Sequence, residues 1–255
     1  MAERLQLTSA ELLTTQVQVV ENFRGKEVFP EPPKALLEFI ERTSEKGFTF
    51  EPYIEPPLDF SQNSDYPGLA VRPNPHFYDL IRMGHLAADS ARLSGPVWAA
   101  MEGLQKPPYE GGKQLYDEKD PLAPMLEDLR RKGGKQGIEV PDWCRHIPPV
   151  SRYGVSALEL ERLIQPLFAQ DYNVAESNVG MSYAAFLYRG NTAHPEWGQT
   201  NTAEWFPNNK LRGGDRLLGG NSDRGGLAHV LYRSSDDRND YFGFRLRVVF
   251  PPEKS

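Results

Sequence analysis

The chain of 255 residues, 39% hydrophobic and 25% charged, can bury a full-sized core as one large domain or as a domain with a substantial extension. Its net charge of −6 argues against general binding to nucleic acid or to anionic membranes. The single cysteine excludes an internal disulfide framework, and without an apolar stretch near ~18 residues or a signal-peptide pattern the expected location is the cytoplasm.

The N-terminal part is predicted to be a helical extension with long proline-rich loops, for which oligomerisation is one expected role. A short helix begins after Ser9, and the apolar face of KALLEFIERTSEKG predicts another that ends at Gly47. Aromatic and polar residues alternate between prolines over 48–60, which indicates an extended edge strand or arm. Two further helices are predicted at about 75–92 and 96–105.

The clearest helix signals of the extension lie at its end. In DPLAPMLEDLRRKGG, Asp120 is expected to cap a helix that has Pro121 in its first turn and stops at Gly133. From Pro141 the chain changes character. We therefore predict an N-terminal extension over 1–140 and a ligand-display region over 141–255.

The second region opens with one helix and continues as strands and loops. Ser156 and Glu159 have the spacing of a capping box for a helix over 157–168, which Pro166 is expected to break or kink. Its buried side is expected to contain Leu160, Leu163, Ile164 and Leu167. The segment MSYAAFLY, residues 181–188, is a strand candidate, and 244–250 predicts a strand with Arg245 and Arg247 on one face.

The last fifth of the chain uses a restricted set of residue types. The 42 residues from Leu211 to Pro252 contain no Glu, Lys, Gln, Met or Trp, although these types occur 50 times in the other 213 residues. A stretch of matched composition would contain about eight of them. These five types are also the ones that no codon ending in a pyrimidine encodes. The segment has the composition expected if the first two codon positions were randomised before a fixed pyrimidine.

Glycine pairs that begin at Gly213, Gly219 and Gly225 divide this segment. Because glycine adopts a positive φ without strain, pairs spaced by six residues predict turns between short strands. Tyr, Arg, His, Asn, Ser and Asp dominate 221–241 without an amphipathic period, which is typical of a recognition surface. An ordinary polar loop is the alternative interpretation.

Three spaced motifs carry a resemblance to a known family: Asn201-x-x-Glu204-Trp205, Arg212-Gly213-Gly214 and Gly243-Phe244-Arg245. On these motifs, residues 147–252 resemble the variable proteins of diversity-generating retroelements. Those proteins are in turn similar to the formylglycine-generating-enzyme branch of the C-type lectin fold, where the motifs are scaffold landmarks. The resemblance does not extend to the first 140 residues.

The resemblance implies an α+β fold of the C-type lectin type, with a formylglycine-generating-enzyme-like C-terminal region and a helical, irregular N-terminal extension. It also implies a reverse transcriptase that rewrites adenines, because codons with two adenines before a pyrimidine can become any of fifteen residue types and the five missing types lie outside that set. Scaffold roles are implied for Trp197, Asn201, Glu204, Trp205, Arg212, Gly213, Gly214, Gly243, Phe244 and Arg245.

The expected function is non-catalytic recognition of a macromolecule, with a protein favoured, by a variable segment of about 215–242. No cofactor, nucleic-acid partner or membrane span is expected. The expected ligand-facing residues are Asn221, Arg224, His229, Leu231, Arg233, Ser234, Asp237, Arg238, Asn239 and Tyr241. Arg238 has a second interpretation, as a scaffold residue ahead of Gly-Phe-Arg.

An enzyme and a calcium-dependent lectin are the alternatives. A formylglycine-generating or sulfoxide-synthase-like oxidoreductase needs a C-terminal cysteine pair or a helical histidine pair, and the sequence has neither. The calcium-binding tripeptides of sugar-binding lectins are absent, and a solvated polar loop is favoured over a metal site. The metal ligands considered are His194, Glu196 and His229, and the oxygen donors Asn221, Asp223, Asp236, Asp237 and Asp240.

Three other residues have a functional and a structural interpretation. Trp197 and Trp205 could stack on a sugar or a base, but packing beneath the glycine-rich loops is favoured, with the indole nitrogens bonded to backbone carbonyls. Cys144 could be a reactive thiol, but a lone cysteine in an intracellular protein is more often inert.

Overall fold

The computed structural model describes residues 14, 16–18, 20–21, 29–66, 68–111 and 120–252, and its architecture is α+β as predicted. The predicted helix after Ser9 begins outside the described residues. The α-helices are α1 (Lys34–Glu45), α2 (Pro75–Arg82), α3 (Ala123–Lys132), α4 (Ala157–Glu159), α5 (Gln165–Asp171) and α6 (Tyr183–Thr192). The strands are β1 (Phe50–Asp59), β2 (Arg92–Glu102), β3 (Ala203–Lys210), β4 (Arg216–Gly219), β5 (Val230–Arg233), β6 (Phe242–Gly243) and β7 (Arg247–Phe250).

The first sheet joins strands from distant parts of the chain in the order β1-β2-β7, with both pairs antiparallel. β1 pairs with β2 from Phe50 opposite Glu102 to Asp59 opposite Arg92. On the other side of β2, Trp98 lies opposite Phe250. The prolines of β1 fit its place at the edge, because proline donates no ladder hydrogen bond. The expected extended edge segment is thus confirmed.

The second sheet has the order β5-β4-β3-β6 and carries the glycine-rich segment. β4 runs antiparallel between β3 and β5, while the two-residue β6 pairs parallel to β3. Gly220 ends β4 at a positive φ of 85°. A β-carbon on Gly220 would lie 2.9 Å from Nζ of Lys106 and 2.8 Å from the ring of Phe186, so this turn requires glycine.

Two hydrophobic clusters lie on opposite sides of these strands. Along β2, Trp98 and Ala100 belong to one cluster, and Ala99 and Met101 belong to the other. The first cluster combines residues from both halves of the chain, among them Phe39, Phe50, Trp98, Leu160, Trp205, Val248 and Phe250. This cluster therefore spans the boundary predicted at residue 140.

The helix predicted at 96–105 is wrong, because this segment is most of strand β2. Ala99, Ala100 and Met101 favour a helix locally. Here β2 is the central strand of the first sheet, and its side chains alternate between the two clusters. Burial on both faces outweighs the local propensity, as it commonly does for strands.

The strand predicted at 181–188 is also wrong, because residues 183–188 lie in helix α6. Ser182 caps the helix, and its side chain accepts a hydrogen bond from the backbone N–H of Ala185. Every residue from Tyr183 to Gly190 is buried. A helix surrounded by protein has no polar face, so its sequence shows no 3.6-residue period.

The helix predicted at 75–92 ends after its first half, at Arg82. Asn74 caps α2 by accepting from the N–H of Phe77, and Gly84, at a φ of 68°, follows its end. The remainder forms a 3₁₀ turn, Ala88–Ala91, that leads into β2.

The helix of DPLAPMLEDLRRKGG begins at Ala123 and is followed by Gly133 at a φ of 61°. The Asp120 carboxylate accepts from the N–H of Leu122, so it organises the turn before the helix.

No helix among the described residues is both long and apolar enough to cross a membrane.

The capping box of Ser156 and Glu159 is confirmed at the start of α4. Pro166 does not end the helix, which continues to Asp171 through a π-helical turn, Leu160–Ile164, that joins α4 to α5. A π turn is a known way to accommodate an interrupted ladder. Of the four leucine and isoleucine positions predicted to be buried, Leu160 and Ile164 are fully buried, while Leu163 and Leu167 are partly buried.

The predicted strand at 244–250 is shorter, since β7 begins at Arg247. Its alternation is nevertheless as expected. Phe244, Leu246 and Val248 enter the first cluster. Arg245 and Arg247 instead contact residues of the other side, with Arg245 over Trp197 and Arg247 bonded to Glu55.

Candidate functional site

Exposed and half-buried residues of the glycine-rich segment form two surface patches together with residues from other parts of the chain. The first patch consists of Tyr109, Asn201, Asp223, Arg224 and Tyr241, which surround a shallow depression of about 210 Å³. The second patch consists of His76, Tyr232, Arg233, Ser234, Asp236 and Asp237 at the end of β5. His229 is close enough to Arg224 of the first patch and to His76 of the second for both positive charges to lower its pKa.

The first patch is built on a tight turn. Residues Ser222–Arg224 form a 3₁₀ turn that is followed by Gly225 at a φ of 120° and Gly226 at 61°. A β-carbon on Gly226 would lie 2.7 Å from the carbonyl oxygen of Gly198. The turn is therefore held against the loop of Trp197, and Asp223 and Arg224 point outward from a fixed backbone.

The second patch continues from the edge strand β5. The exposed ring of Tyr232 stacks on His76 of α2, with ring centroids 6.1 Å apart and planes inclined by 19°. Arg233, Ser234 and Asp237 are exposed in the turn that follows. Ser234 donates to the Asp236 carboxylate at 2.5 Å.

Two residues expected to face a ligand, Asn221 and His229, are buried instead. The side-chain oxygen of Asn221 accepts from the N–H of Asp223, and its amide nitrogen donates to the carbonyl of Asn201 at 2.8 Å. Asn221 thus fixes the turn of the first patch. A single sequence cannot separate such a turn-forming asparagine from an exposed one, because both occur in loops.

The other expected residues divide by exposure. Arg224, Arg233, Ser234 and Asp237 are exposed, and Leu231, Asn239 and Tyr241 are half-buried. The guanidinium of Arg238 bonds to the Glu159 carboxylate at 2.8 Å. This contact favours the second interpretation of Arg238, as a scaffold residue. The carbonyl of Asn239 accepts from the N–H of Gly154, which attaches the segment to the loop before α4.

Burial, and after it the positive charges of Arg224, Lys106 and His76, lower the pKa of His229 to about 4. Its Nδ1 is buried without a hydrogen-bond partner among the described residues. The ring is therefore neutral in the folded protein at neutral pH, and protonation would place an uncompensated charge beneath the surface.

We expect the folded protein to lose stability as the pH falls from about 6.5 to about 4. Over this range the unfolded chain binds a proton at His229 and the folded chain does not, so the loss approaches roughly 3 kcal/mol. Urea unfolding at pH 7 and pH 4.5 measures it. His229→Gln should reduce this pH dependence, and His85→Gln, at an exposed position, should leave it unchanged. Equal pH dependence in all three proteins would contradict the expectation.

The scaffold beneath the patches is centred on a buried ion pair. Arg245 and Glu204 are both fully buried, with Nη2 of Arg245 3.0 Å from Oε1 of Glu204. The guanidinium carbon of Arg245 lies 3.8 Å from the ring centroid of Trp197. The ring of Trp197 also stacks in parallel on the ring of His194. Such an arrangement combines charge pairing with a cation–π contact.

The other expected scaffold residues are placed as follows. Trp205 is buried and its indole donates to the carbonyl of Val155 at 2.9 Å, as favoured, whereas the buried indole nitrogen of Trp197 has no partner among the described residues. Asn201 is half-buried in the first patch, while Gly243 and Phe244 are buried. The motif Arg212-Gly213-Gly214 is exposed in a turn, with φ of 91° and 95° at its glycines.

The position of Arg212 differs from its expected scaffold role, because its side chain is exposed, while its backbone N–H donates to the carbonyl of His85. Arg216 makes the buried contact instead, through a bidentate pair with Glu161 of the π turn. Both arginines lie near a glycine pair, so the sequence pattern alone does not distinguish them.

Lys106 is a buried residue that no sequence motif marks, and it bonds to the loops that carry the first patch. Its ammonium donates to the carbonyls of Thr202 at 3.0 Å and Gly220 at 2.7 Å, so it joins the loops before β3 and after β4. Burial lowers its pKa to about 8 against the opposing charge of Glu204. No periodicity marks a single lysine in a proline-rich loop.

Arg152 was missed for the same reason. It is fully buried and bonds bidentately to two carboxylates, those of Glu102 at the end of β2 and Asp120 before α3. The Glu102 carboxylate also accepts from the N–H of Leu246 at 2.8 Å. This network connects the first sheet to the chain just before β7.

The metal ligands considered from the sequence do not converge. His194 contacts the carboxylates of Glu196 at 2.8 Å and Glu51 at 2.7 Å, while His229 lies among basic residues. Burial acts to raise the pKa of Glu51, but its hydrogen bond and charge pairing with His194 and Arg189 leave it lowered. The described residues include no group of three or more His, Cys, Asp or Glu side chains placed to hold a metal.

Cys144 is buried against Ile147 and Tyr153. Burial raises the pKa of its thiol to about 12. Because the thiolate is the reactive form, this environment favours the inert interpretation.

Comparison with known proteins finds no matching family model, no matching characterised protein and no matching solved structure. The fold and the surface together define an α+β protein with a buried polar scaffold beneath two surface patches, to which the segment of restricted composition contributes most of the residues.

Proposed function

We propose that the protein is a non-catalytic ligand-binding protein whose residues of about 215–242 are diversified by a retroelement reverse transcriptase. The scaffold would be a C-type lectin fold of the formylglycine-generating-enzyme branch, carrying the varied residues on its loops. The favoured ligand is a protein.

The observation that carries this proposal is the division of one segment into anchors and exposed residues. Leu217, Leu218 and Gly220 are buried or conformationally fixed, and so are Leu227, His229 and Val230, whereas the exposed positions are Asp223, Arg224, Tyr232, Arg233 and Ser234. Exposed substitutions usually change stability by about 0.5 kcal/mol or less. The segment can therefore change its surface while the core beneath it stays constant.

The arrangement of the strands supports the proposed fold. A C-terminal strand returns beside N-terminal strands in the first sheet, while the second sheet carries the turns of the patches. The motifs Asn201-x-x-Glu204-Trp205 and Gly243-Phe244-Arg245 meet where β6 pairs with β3, and Arg245 binds Glu204. Distant landmark motifs thus contact one another directly.

The diversification is tested in the DNA. We expect a near-copy of the 211–252 coding stretch close to the gene, differing mainly at adenines, together with a reverse-transcriptase reading frame. Sequencing many copies of the gene should show substitutions concentrated at codons of exposed residues such as Arg224 and Arg233. Codons for Leu218 and Gly220 should remain constant.

The coding region for residues 1–140 serves as the internal control, since no adenine-directed changes are expected there. Substitutions spread evenly over both regions, or the absence of a near-copy, would contradict the proposed diversification.

A further inference from the structure

We propose that Asn221 and Asn239 are positioning residues of the first patch, and that substitutions at these two positions change the shape of the patch and thereby its choice of ligand. The inference rests on the proposed function, because it concerns how diversification of the segment alters binding. Both asparagines act through the backbone that they hold in place, while neighbours such as Arg224 and Tyr241 contact the ligand.

The two asparagine side chains make the same local contact. Each accepts a hydrogen bond from the backbone N–H two residues later in the chain. Oδ1 of Asn221 lies 2.9 Å from the nitrogen of Asp223, and Oδ1 of Asn239 lies 3.3 Å from the nitrogen of Tyr241. Such bonds take the place of a backbone contact within a turn, which is why asparagine is frequent there. Because Asp223 and Tyr241 both line the depression of the first patch, each asparagine holds a residue of the binding surface.

Each asparagine also joins its turn to a part of the chain outside the segment of restricted composition. Nδ2 of Asn221 donates to the carbonyl of Asn201 at 2.8 Å, and the carbonyl of Asn239 accepts from the N–H of Gly154 at 3.1 Å. The bond to Gly154 uses the backbone, so it persists when residue 239 is substituted. Both side-chain bonds of Asn221 are lost when that residue becomes apolar. Asn221 is only 6% exposed, so its side chain acts beneath the surface and not on a ligand.

The codons of both asparagines are open to the proposed rewriting. Asparagine is encoded only by two adenines followed by a pyrimidine, and Asn221 and Asn239 are the two asparagines of the 211–252 segment. Aspartate, serine and threonine are among the residue types that such a codon can become, and each keeps an oxygen that can accept from the same N–H. The apolar types have no such oxygen. Rewriting at either codon therefore yields some variants that keep the turn and others that lose it.

Amide hydrogen exchange of the full chain, followed by nuclear magnetic resonance, tests the turns without a ligand. Asn221→Ala should speed exchange at the N–H of Asp223 about tenfold or more, because that N–H loses its acceptor. Asn239→Ala should do the same at Tyr241, whereas Asn239→Asp keeps an acceptor oxygen and should retain the parent rate. Asn63→Ala, at an exposed asparagine outside the patch, is the matched control and should change neither rate.

Phage-displayed random peptides selected on the parent chain are the probe for ligand choice. Asn221→Ala should weaken the binding of these peptides about tenfold or more, and a second selection on this variant should yield a different consensus sequence. Asn239→Ala should weaken binding in the same direction, and Asn239→Asp should restore it. Thermal melting shows which variants are folded. Because Asn239 is half-buried and holds a single N–H through its side chain, its two variants test the inference even where Asn221→Ala does not fold.

The outcomes separate this inference from the proposed function. Unchanged exchange at Asp223 and Tyr241 in the two alanine variants would overturn the positioning role. Equal loss of peptide binding in Asn239→Asp and Asn239→Ala would also overturn it, because the asparagine would then contact the ligand directly, and the proposed function would stand. Peptide binding that is insensitive to Arg224→Ala and Tyr241→Ala would count against both proposals.

Discussion

Replacing Arg152 by methionine is expected to lower the free energy of unfolding by about 3–5 kcal/mol. The guanidinium lies 2.6 Å from Oε2 of Glu102 and 2.6 Å from Oδ2 of Asp120, and none of the three side chains is more than 3% exposed. Without Arg152 two carboxylates would remain buried and uncompensated. Because whole domains are stable by only about 5–15 kcal/mol, this single change removes a large share of the total.

Chemical denaturation at pH 7 measures the effect, and Arg145→Met is the matched control. Arg145 also pairs with an aspartate, Asp142, at 2.6 Å, but its side chain is 72% exposed. Exposed ion pairs contribute about 0–1 kcal/mol. A similar loss of stability in both variants would show that burial of the Arg152 network does not determine its contribution.

Trp205→Ala is expected to destabilise the protein by about 3–5 kcal/mol, the usual cost of truncating a buried aromatic side chain. Its ring is fully buried in the first cluster, meets Phe242 edge to face at 5.4 Å and donates its indole N–H to Val155. Truncation would leave both a cavity and an unpaired carbonyl between the second sheet and the loop before α4.

Trp143→Ala provides the comparison, because Trp143 is 51% exposed on a 3₁₀ turn. Thermal melting followed by near-ultraviolet circular dichroism should show a large loss of melting temperature for the Trp205 variant and a small change for the Trp143 variant. Equal melting of the Trp205 variant and the parent would contradict the landmark role of this residue.

The sequence predicts secondary structure correctly where an element depends on residues that are neighbours along the chain. The helix over 34–45, the capping box of Ser156 and Glu159 and the stop at Gly133 all follow from interactions within a few positions. The glycine turns of the 211–252 segment belong to the same class, because a positive φ is a property of one residue.

The wrong secondary-structure predictions fall where tertiary packing determines the element. The sequence predicts a helix for much of β2 and a strand for α6, because Trp98–Glu102 and Tyr183–Gly190 are buried on all sides and lack the period of a half-exposed strand or helix. Distance along the chain explains the missed polar residues as well. Arg152 and Glu102 are 50 positions apart, and Arg245 and Glu204 are 41 apart, so no local pattern links them.

The sequence indicates which segment has the composition of a surface loop, but it does not indicate which residues of that segment are exposed. Arg224 and Arg233 are exposed, whereas Asn221 and His229, polar residues of the same segment, are buried. Tyr109 and His76 were not considered, because they come from loops and helices far outside the segment. Exposure in a loop depends on what packs against it, and this information is not local.

The ion pair between the two edge strands of the first sheet joins residues that are synthesised far apart in time. Glu55 of β1 binds Arg247 of β7 across 192 positions, and β2 lies between them. During synthesis β1 and β2 therefore emerge long before the strand that covers the second edge of β2. Pairing over such separations is slow because loop closure precedes any gain in contacts. The apolar edge around Trp98 is thus open to other chains until β7 arrives, which makes nascent chains of this protein candidates for chaperone protection.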